Sequence, residues 1–239
     1  MFKKPIIAVI MAGGKSSRFN FDKIKLKISE KALLPIDISK TSSSNINIID
    51  LIIKTVIDSK KITEICRIIV ALSDHTSKTT EYLRKMQLPE IEIMETPGIS
   101  YHSDLQFIAK KLKPAILLIL NCDTPLIKPN YIKEIIEYFY YPQSSKVSSI
   151  IKKSALTVMS PLSLFEKSGI TPSYIETLDN GRKLVPIGIN VIDANFIKNG
   201  EYIDQNILTL NYEELLYNIN DIKNYFKFLE YYQQHNYKS

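Results

Sequence analysis

Glycine, cysteine and histidine are scarce in this 239-residue chain, with seven, two and three copies. So few cysteines exclude a disulfide scaffold, and Cys66 and Cys122 read as reduced structural thiols. His75, His102 and His235 have no ligand-like spacing to one another or to the cysteines, which argues against a zinc site. Long hydrophobic runs are missing too. AILLIL at 115–120 is far too short to cross a bilayer, so no membrane span is expected. The first apolar run ends in a glycine loop without a cleavage site, so it is not a signal peptide, and a cytoplasmic setting is the expectation. The scarcity of glycine also removes two phosphate motifs. No glycine occurs between Gly14 and Gly98, so the dinucleotide pattern GxGxxG fails. Gly14-Lys15-Ser16 looks like the tail of a Walker A loop, but Val9 stands where that motif needs its first glycine.

What is present suits one α/β domain over residues 1–239. Apolar residues make up 45% of the chain, enough for a sizeable core. The net charge of +6 is localised. Residues 1–40 hold nine Lys/Arg and three Asp/Glu, a balance of +6, and the remaining 22 of each sign cancel. A focused positive potential at that end attracts a polyanion, unless it is only a lysine-rich solvated loop. There is no basic helix and no aromatic-rich strand of the kind that reads RNA, so no nucleic-acid partner is expected.

The excess charge surrounds IIAVIMAGGKSSR at 6–18, a buried strand that runs into a small-residue loop. Glycines let backbone N–H groups approach a ligand closely, and successive amides in such a turn form an anion-binding concavity. Ala12, Gly13, Gly14, Lys15, Ser16 and Ser17 are the candidate cradle. Arg18 and Lys31, the latter in EKALLPI at 30–36, add fixed charge for phosphate oxygens. These parts suit a nucleoside triphosphate at the carboxyl edge of a sheet. The competing reading is an ordinary tight strand–helix turn.

Apolar runs predict strands over 6–11, 32–36, 66–72, 91–94, 115–121, 155–160, 187–192 and 215–219. Helical periodicity predicts helices over 47–59, 77–87, 101–112, 130–140 and 221–234. Ser77 is placed to cap the second helix, and Pro129 to open the fourth. Their alternation argues a mostly parallel sheet with helices on both faces. The serine-rich stretches 38–46 and 142–154 read as exposed loops. The stretch 162–183 reads as an insertion that either covers an acceptor or makes a surface excursion.

Asp123 follows the strand AILLIL and precedes Thr124-Pro125. A carboxylate there is placed to hold Mg²⁺ against triphosphate oxygens, or else to close a turn. Asn190, between Ile189 and Val191, needs partners if buried and meets that need by facing a site or a neighbouring strand. Gly188 suits either close passage of a ligand or a bulge. Ser73 ends the strand IIVAL. Gly98, Tyr101 and Asp104 lie between a strand and a helix, where Asp104 also suits the first helical turn.

AGGKSSRF followed by EKALLPI resembles the signature of GT-A-type nucleotidyltransferases, which include molybdenum-cofactor guanylyltransferases. With VALSDHTSKTTEYL at 70–83, TPGISYHSDL at 96–105, NCDTPLI at 121–127, LVPIGINVI at 184–192 and LLYNIND at 215–221, the chain is similar to archaeal adenosylcobinamide-phosphate guanylyltransferases. That resemblance implies a Rossmann-like fold and transfer of GMP from GTP to a phosphorylated corrinoid, with release of pyrophosphate. It assigns Arg18, Lys31 and Asp123 to catalysis. It assigns Ser73, Gly98 and Asp104 to the base and ribose, Gly188 and Asn190 to the nucleotide, and Asn190 to the metal beside Asp123. A homodimer is left open. Many related loops carry Gly-Thr-Arg-Met and then Gly, where this chain has Ser16-Ser17-Arg18-Phe19-Asn20. That difference bears on loop shape and nucleotide preference. Glu30 is expected to pair with a lysine at most.

Overall fold

A computed structural model describes residues 4–19, 21–24, 28–37, 46–141, 154–197 and 205–236. Its framework is an eight-stranded sheet. β1 (Ile6–Met11) lies at the centre of a parallel half, paired with β2 (Ile65–Leu72) on one side and β4 (Ile116–Asn121) on the other. β3 (Glu92–Glu95) extends that half beyond β2. β7 (Lys183–Asp193) runs antiparallel to both β4 and β5 (Ala155–Pro161). β8 (Gln205–Thr209) pairs parallel with β5, and the short β6 (Glu176–Thr177) with β7. The order is β3-β2-β1-β4-β7-β5-β8, so the expectation of a mostly parallel α/β sheet holds, with β7 reversed.

Alternation along β1 builds two cores at once. Ile6, Ala8 and Ile10 pack with α1 (Ile48–Lys60) and α4 (Pro129–Tyr140). Ile7 and Val9 point the other way and pack with α3 (Tyr101–Leu112). Both faces are therefore covered, as a parallel sheet requires. Each fully buried Ile or Leu contributes roughly 1.5–3 kcal/mol. α2 (Ser77–Met86) adds Leu83 and α5 (Leu162–Lys167) adds Phe165 to the first core. Helix α6 (Ile222–Asn236) makes a third cluster, with Tyr225, Phe228 and Leu229 under Phe19, Leu34, Ile36 and Ile219.

Two predicted strands are absent. The run 32–36 forms a 3₁₀ turn at Lys31–Leu33 and a single bridge between Pro35 and Asn47. Its Leu34 and Ile36 are apolar because they lie in the α6 cluster, not in the sheet. The run 215–219 likewise begins as a 3₁₀ turn at Glu213–Leu216, with Leu215 and Leu216 buried. The edge strand β8 and the short α5 lack a clean apolar period and escape the sequence reading. Pro129 does open α4, whereas Ser77 starts α2 without capping it. The serine-rich loops fall almost entirely outside the described residues. The 162–183 stretch is α5 followed by β6, with Phe165 and Ile170 buried.

Candidate active site

Successive strands β1, β2 and β3 step to one side, and β4 returns to the other side of β1. That reversal is where open α/β sheets leave a crevice outside the carboxyl ends of their strands. The glycine loop leaves β1 on one flank of this point, and Asp123 leaves β4 on the other. Between them lies a cleft of about 390 Å³, walled by residues 11–18, Lys31, the 96–104 loop, Asn121, Asp123 and Asn220.

The glycine loop is held from behind. Ala12 N–H donates to the Ala71 carbonyl at 2.9 Å, and the Ser73 hydroxyl donates to the Gly13 carbonyl at 2.7 Å. A Cβ on Gly13 would stand 3.2 Å from the backbone of Leu72 and Ser73, so the loop packs tightly against the end of β2 and a side chain there would push the two backbones apart by a few tenths of an ångström. Gly14 faces open space. Ser16 sits at φ +50°, the sparsely populated left-handed region that clusters at functional loops. Among the described residues, the amides of 13–18 have no protein acceptor, and the next bonded one is that of Phe19, on the Ser16 carbonyl. Phe19 is buried beside Tyr225, which anchors the far end of the loop in the α6 cluster. Arg18 makes one long contact, Nη2 to the Asn220 Oδ1 at 3.4 Å, so its charge remains available to an anion.

On the opposite flank, β4 ends in a tight turn. Cys122 N–H donates to the Met11 carbonyl, and the Thr124 hydroxyl to the Asn121 carbonyl at 2.8 Å. The Asp123 carbonyl accepts from Ile219 N–H at 2.8 Å, which ties this turn to the NIND segment. Lys31 Nζ donates to Asp123 Oδ2 at 2.8 Å, with both side chains 14% exposed. Burial opposes the Lys31 charge, but Asp123 more than offsets it and holds the ammonium above its usual range. Burial pushes the neighbouring Cys122 thiol up to about 12. It therefore stays protonated and is no nucleophile. Asp123 Oδ1 is buried and has no partner among the described residues. A buried anionic oxygen left open beside a prospective triphosphate fits a hard divalent cation, which takes one or two carboxylates and completes its shell with phosphate and water. No cluster of three or more His, Cys, Asp or Glu ligands exists among the described residues.

The 96–104 loop forms the third wall. Thr96 is fixed to the Leu72 carbonyl through both N–H and hydroxyl. Gly98 has φ +66°, and a Cβ there would lie 2.7 Å from Ser73 Cβ. Its N–H donates to Asp104 Oδ1 at 2.8 Å. Asp104 is buried in the first turn of α3, where Ser100 is the cap, accepting from Ser103 N–H at 3.1 Å. Asp104 is thus the anchor of a cleft-lining loop. Ser73 lies one layer back, spent on Gly13 and on the turn at Asp74–Thr76, and does not line the cleft.

Gly188 and Asn190 sit on β7. Gly188 has φ +75° at a bulge opposite Val158–Met159, and a Cβ there would meet the Asn121 side-chain nitrogen at 2.6 Å. Its role is to make room for Asn121, which lines the cleft. Asn190 pairs with Ile119 on β4, set back from Asp123 along the strand. Its Oδ1 accepts from the Thr157 hydroxyl at 3.0 Å, and its side chain also meets the Tyr101 hydroxyl. Tyr101 is 39% exposed as a residue, and desolvation of its hydroxyl at the cleft rim raises it to about 12 against the lowering effect of Asn190. Asn121 and Asn220 are cleft residues that sequence reasoning passed over. NCDTPLI and LLYNIND stand out as motifs, but nothing in them distinguishes an asparagine that faces a cleft from one that closes a turn.

The fold is shared with solved transferases. A nucleotidyl transferase from Methanothermobacter superposes with a TM-score of 0.61 at 16% identity, over 96% of this chain and 98% of its own. The 4-diphosphocytidyl-2C-methyl-D-erythritol synthase of Anaerococcus prevotii gives 0.60 at 11%, over 96% of both chains. A CMP:2-keto-3-deoxy-manno-octonic acid synthetase complexed with CTP gives 0.59 at 13%, over 88% and 91%. No curated protein matches the chain. Residues 8–170 match the MobA-like NTP transferase domain, which spans the glycine loop, Lys31, the 96–104 loop and Asp123, and the chain belongs to that family.

Proposed function

We propose that this transferase moves GMP from GTP to the phosphate of adenosylcobinamide phosphate, giving adenosylcobinamide-GDP and pyrophosphate. The observation that supports the transferase reading is the row of amides at 13–18 without an acceptor among the described residues, lining one cleft with the Lys31–Asp123 pair at the sheet reversal. Guanine and the corrinoid acceptor rest on the sequence resemblance, above all on GIN at 188–190 and NIND at 218–221.

In this reading the amides of Gly13, Gly14 and their neighbours hold the β- and γ-phosphates, with Lys15 and Arg18 at the outer side. Lys31 lies against the α-phosphate. Asp123 Oδ1 would hold Mg²⁺, which supplies charge neutralisation on the triphosphate, and Asn190 is the second ligand the resemblance offers. Thr96, Gly98 and Asp104 shape the wall for base and ribose. An acceptor phosphate oxygen attacks the α-phosphorus. The new P–O bond forms as the bond to the bridging oxygen breaks, and that electron pair leaves with pyrophosphate. The acceptor phosphate is already ionised near neutral pH, so no strong base is needed. The work is positioning and electrostatics.

Pyrophosphate release measured with each of the four NTPs and adenosylcobinamide phosphate tests this. GTP with that acceptor should turn over efficiently, and Lys31→Ala should lower kcat/KM by about 10²–10³-fold. The 4-diphosphocytidyl-2C-methyl-D-erythritol synthase and the synthetase complexed with CTP, both similar in fold, favour CTP as a second reading. Efficient turnover with CTP alone, or only with a sugar phosphate or molybdopterin, would replace the specific proposal. GTP binding without transfer to any acceptor would make the chain a non-catalytic nucleotide-binding module.

A further inference from the structure

Glu30 is 5% exposed, and among the described residues it forms no ion pair with a lysine. Its Oε1 accepts from Lys78 N–H at 2.9 Å. Its Oε2 accepts from Thr79 N–H at 2.7 Å and from the Thr79 hydroxyl at 2.6 Å. Those amides belong to the first turn of α2, whose own N-cap residue, Thr76, makes no side-chain cap. A helix start leaves amides unpaired and carries partial positive charge, so a carboxylate brought from elsewhere in the chain satisfies both demands.

The next residue is Lys31. Its segment turns at once, with Leu33 N–H on the Glu30 carbonyl and Leu34 N–H on the Lys31 carbonyl. The Lys31 side chain then reaches Asp123. Two adjacent residues are thus tied to different elements, one to the first turn of α2 and one to the turn after β4. A lysine has four rotatable bonds and loses its target if its backbone shifts. We infer that Glu30 is a positioning residue: by capping α2 from outside, it fixes the backbone from which Lys31 is aimed at Asp123 and at the triphosphate. The inference rests on the transferase reading of the cleft.

The carboxylate is specific. It accepts three hydrogen bonds on two oxygens, whereas glutamine would turn an NH₂ toward one set of donors. The test compares the parent with Glu30→Gln, Glu30→Asp and Thr79→Val. It measures kcat and KM for GTP, and the rate of Lys31 acetylation by mass spectrometry, normalised to the exposed Lys61. Ser59→Ala serves as a stability control, because it removes a buried hydroxyl bonded to the Thr55 carbonyl at 2.7 Å, remote from the cleft. Glu30→Gln should lower kcat about tenfold or more with a smaller change in KM, and should speed Lys31 labelling severalfold. Glu30→Asp and Thr79→Val should fall between it and the parent, and Ser59→Ala should change neither readout. A Glu30→Gln protein that melts lower but keeps the parent's kcat and labelling ratio overturns the inference and leaves only a helix cap. Should the parent transfer nothing from any NTP, the functional reading fails, and the labelling ratio alone decides whether Glu30 positions Lys31.

Discussion

Two glycines carry opposite requirements. Gly98 combines a positive φ with a Cβ position 2.7 Å from Ser73, whereas Gly14 has open space around it. Gly98→Ala should therefore cost about 2–3 kcal/mol through strain and displacement of Ser73, or a melting point lower by roughly 4–10 °C. Gly14→Ala should change stability by no more than about 0.5 kcal/mol. Thermal denaturation of the two variants checks both, and equal destabilisation would contradict this account of the loop. Lys31 and Asp123 were readable in the chain because each stands at a place where the pattern breaks. One opens an apolar run and the other ends a six-residue strand. Ser73 was equally well placed in sequence, yet its hydroxyl is spent on Gly13. A strand-end serine reads the same whether it faces a ligand or the loop behind it. The capping role of Glu30 was invisible for a related reason, since its partners lie 48 and 49 residues further along the chain.

At the scale of elements, the parallel half was legible and the periphery was not. β1 and β4 are buried on both faces along nearly their whole length, and β2 from Ile68 onward, so they appear as apolar runs, interrupted in β2 by the exposed Arg67. The same apolar signal at 32–36 and 215–219 marks segments buried under α6 and along the first core, not strands. Hydrophobicity reports burial, and only the partner decides the geometry. Helix α6 matters to the site although it contributes no residue to the cleft. The Tyr225 hydroxyl donates to the Pro35 carbonyl at 2.6 Å, and its ring is fully buried beside Phe19. It therefore secures the ends of both the glycine loop and the Lys31 segment. Tyr225→Phe leaves the Pro35 carbonyl unpaired and should cost about 1–3 kcal/mol. Calorimetry should show the lower melting temperature. An unchanged melting temperature would mean that α6 does not brace the loops.

For the whole molecule, charge and topology converge. The +6 excess lies within residues 1–40, and the sheet reversal brings the glycine loop from that stretch face to face with the turn after β4. No helix among the described residues is long and apolar enough to cross a membrane, and the buried apolar residues pack on the two sides of the sheet and under α6. Among the described residues, Lys15, Arg18 and Lys31 line the cleft, and cations gathered in a cleft raise the local concentration of a polyanion. A cleft built around three linked phosphates should hold a nucleoside triphosphate far more tightly than a monophosphate. Titration calorimetry of the parent and of Arg18→Ala with GTP and with GMP, each in the presence of Mg²⁺, measures this difference. The account predicts that the parent binds GTP at least about tenfold more tightly than GMP, and that Arg18→Ala erases most of the difference. Equal affinity of the parent for GTP and GMP, or a difference that survives the loss of Arg18, would contradict it.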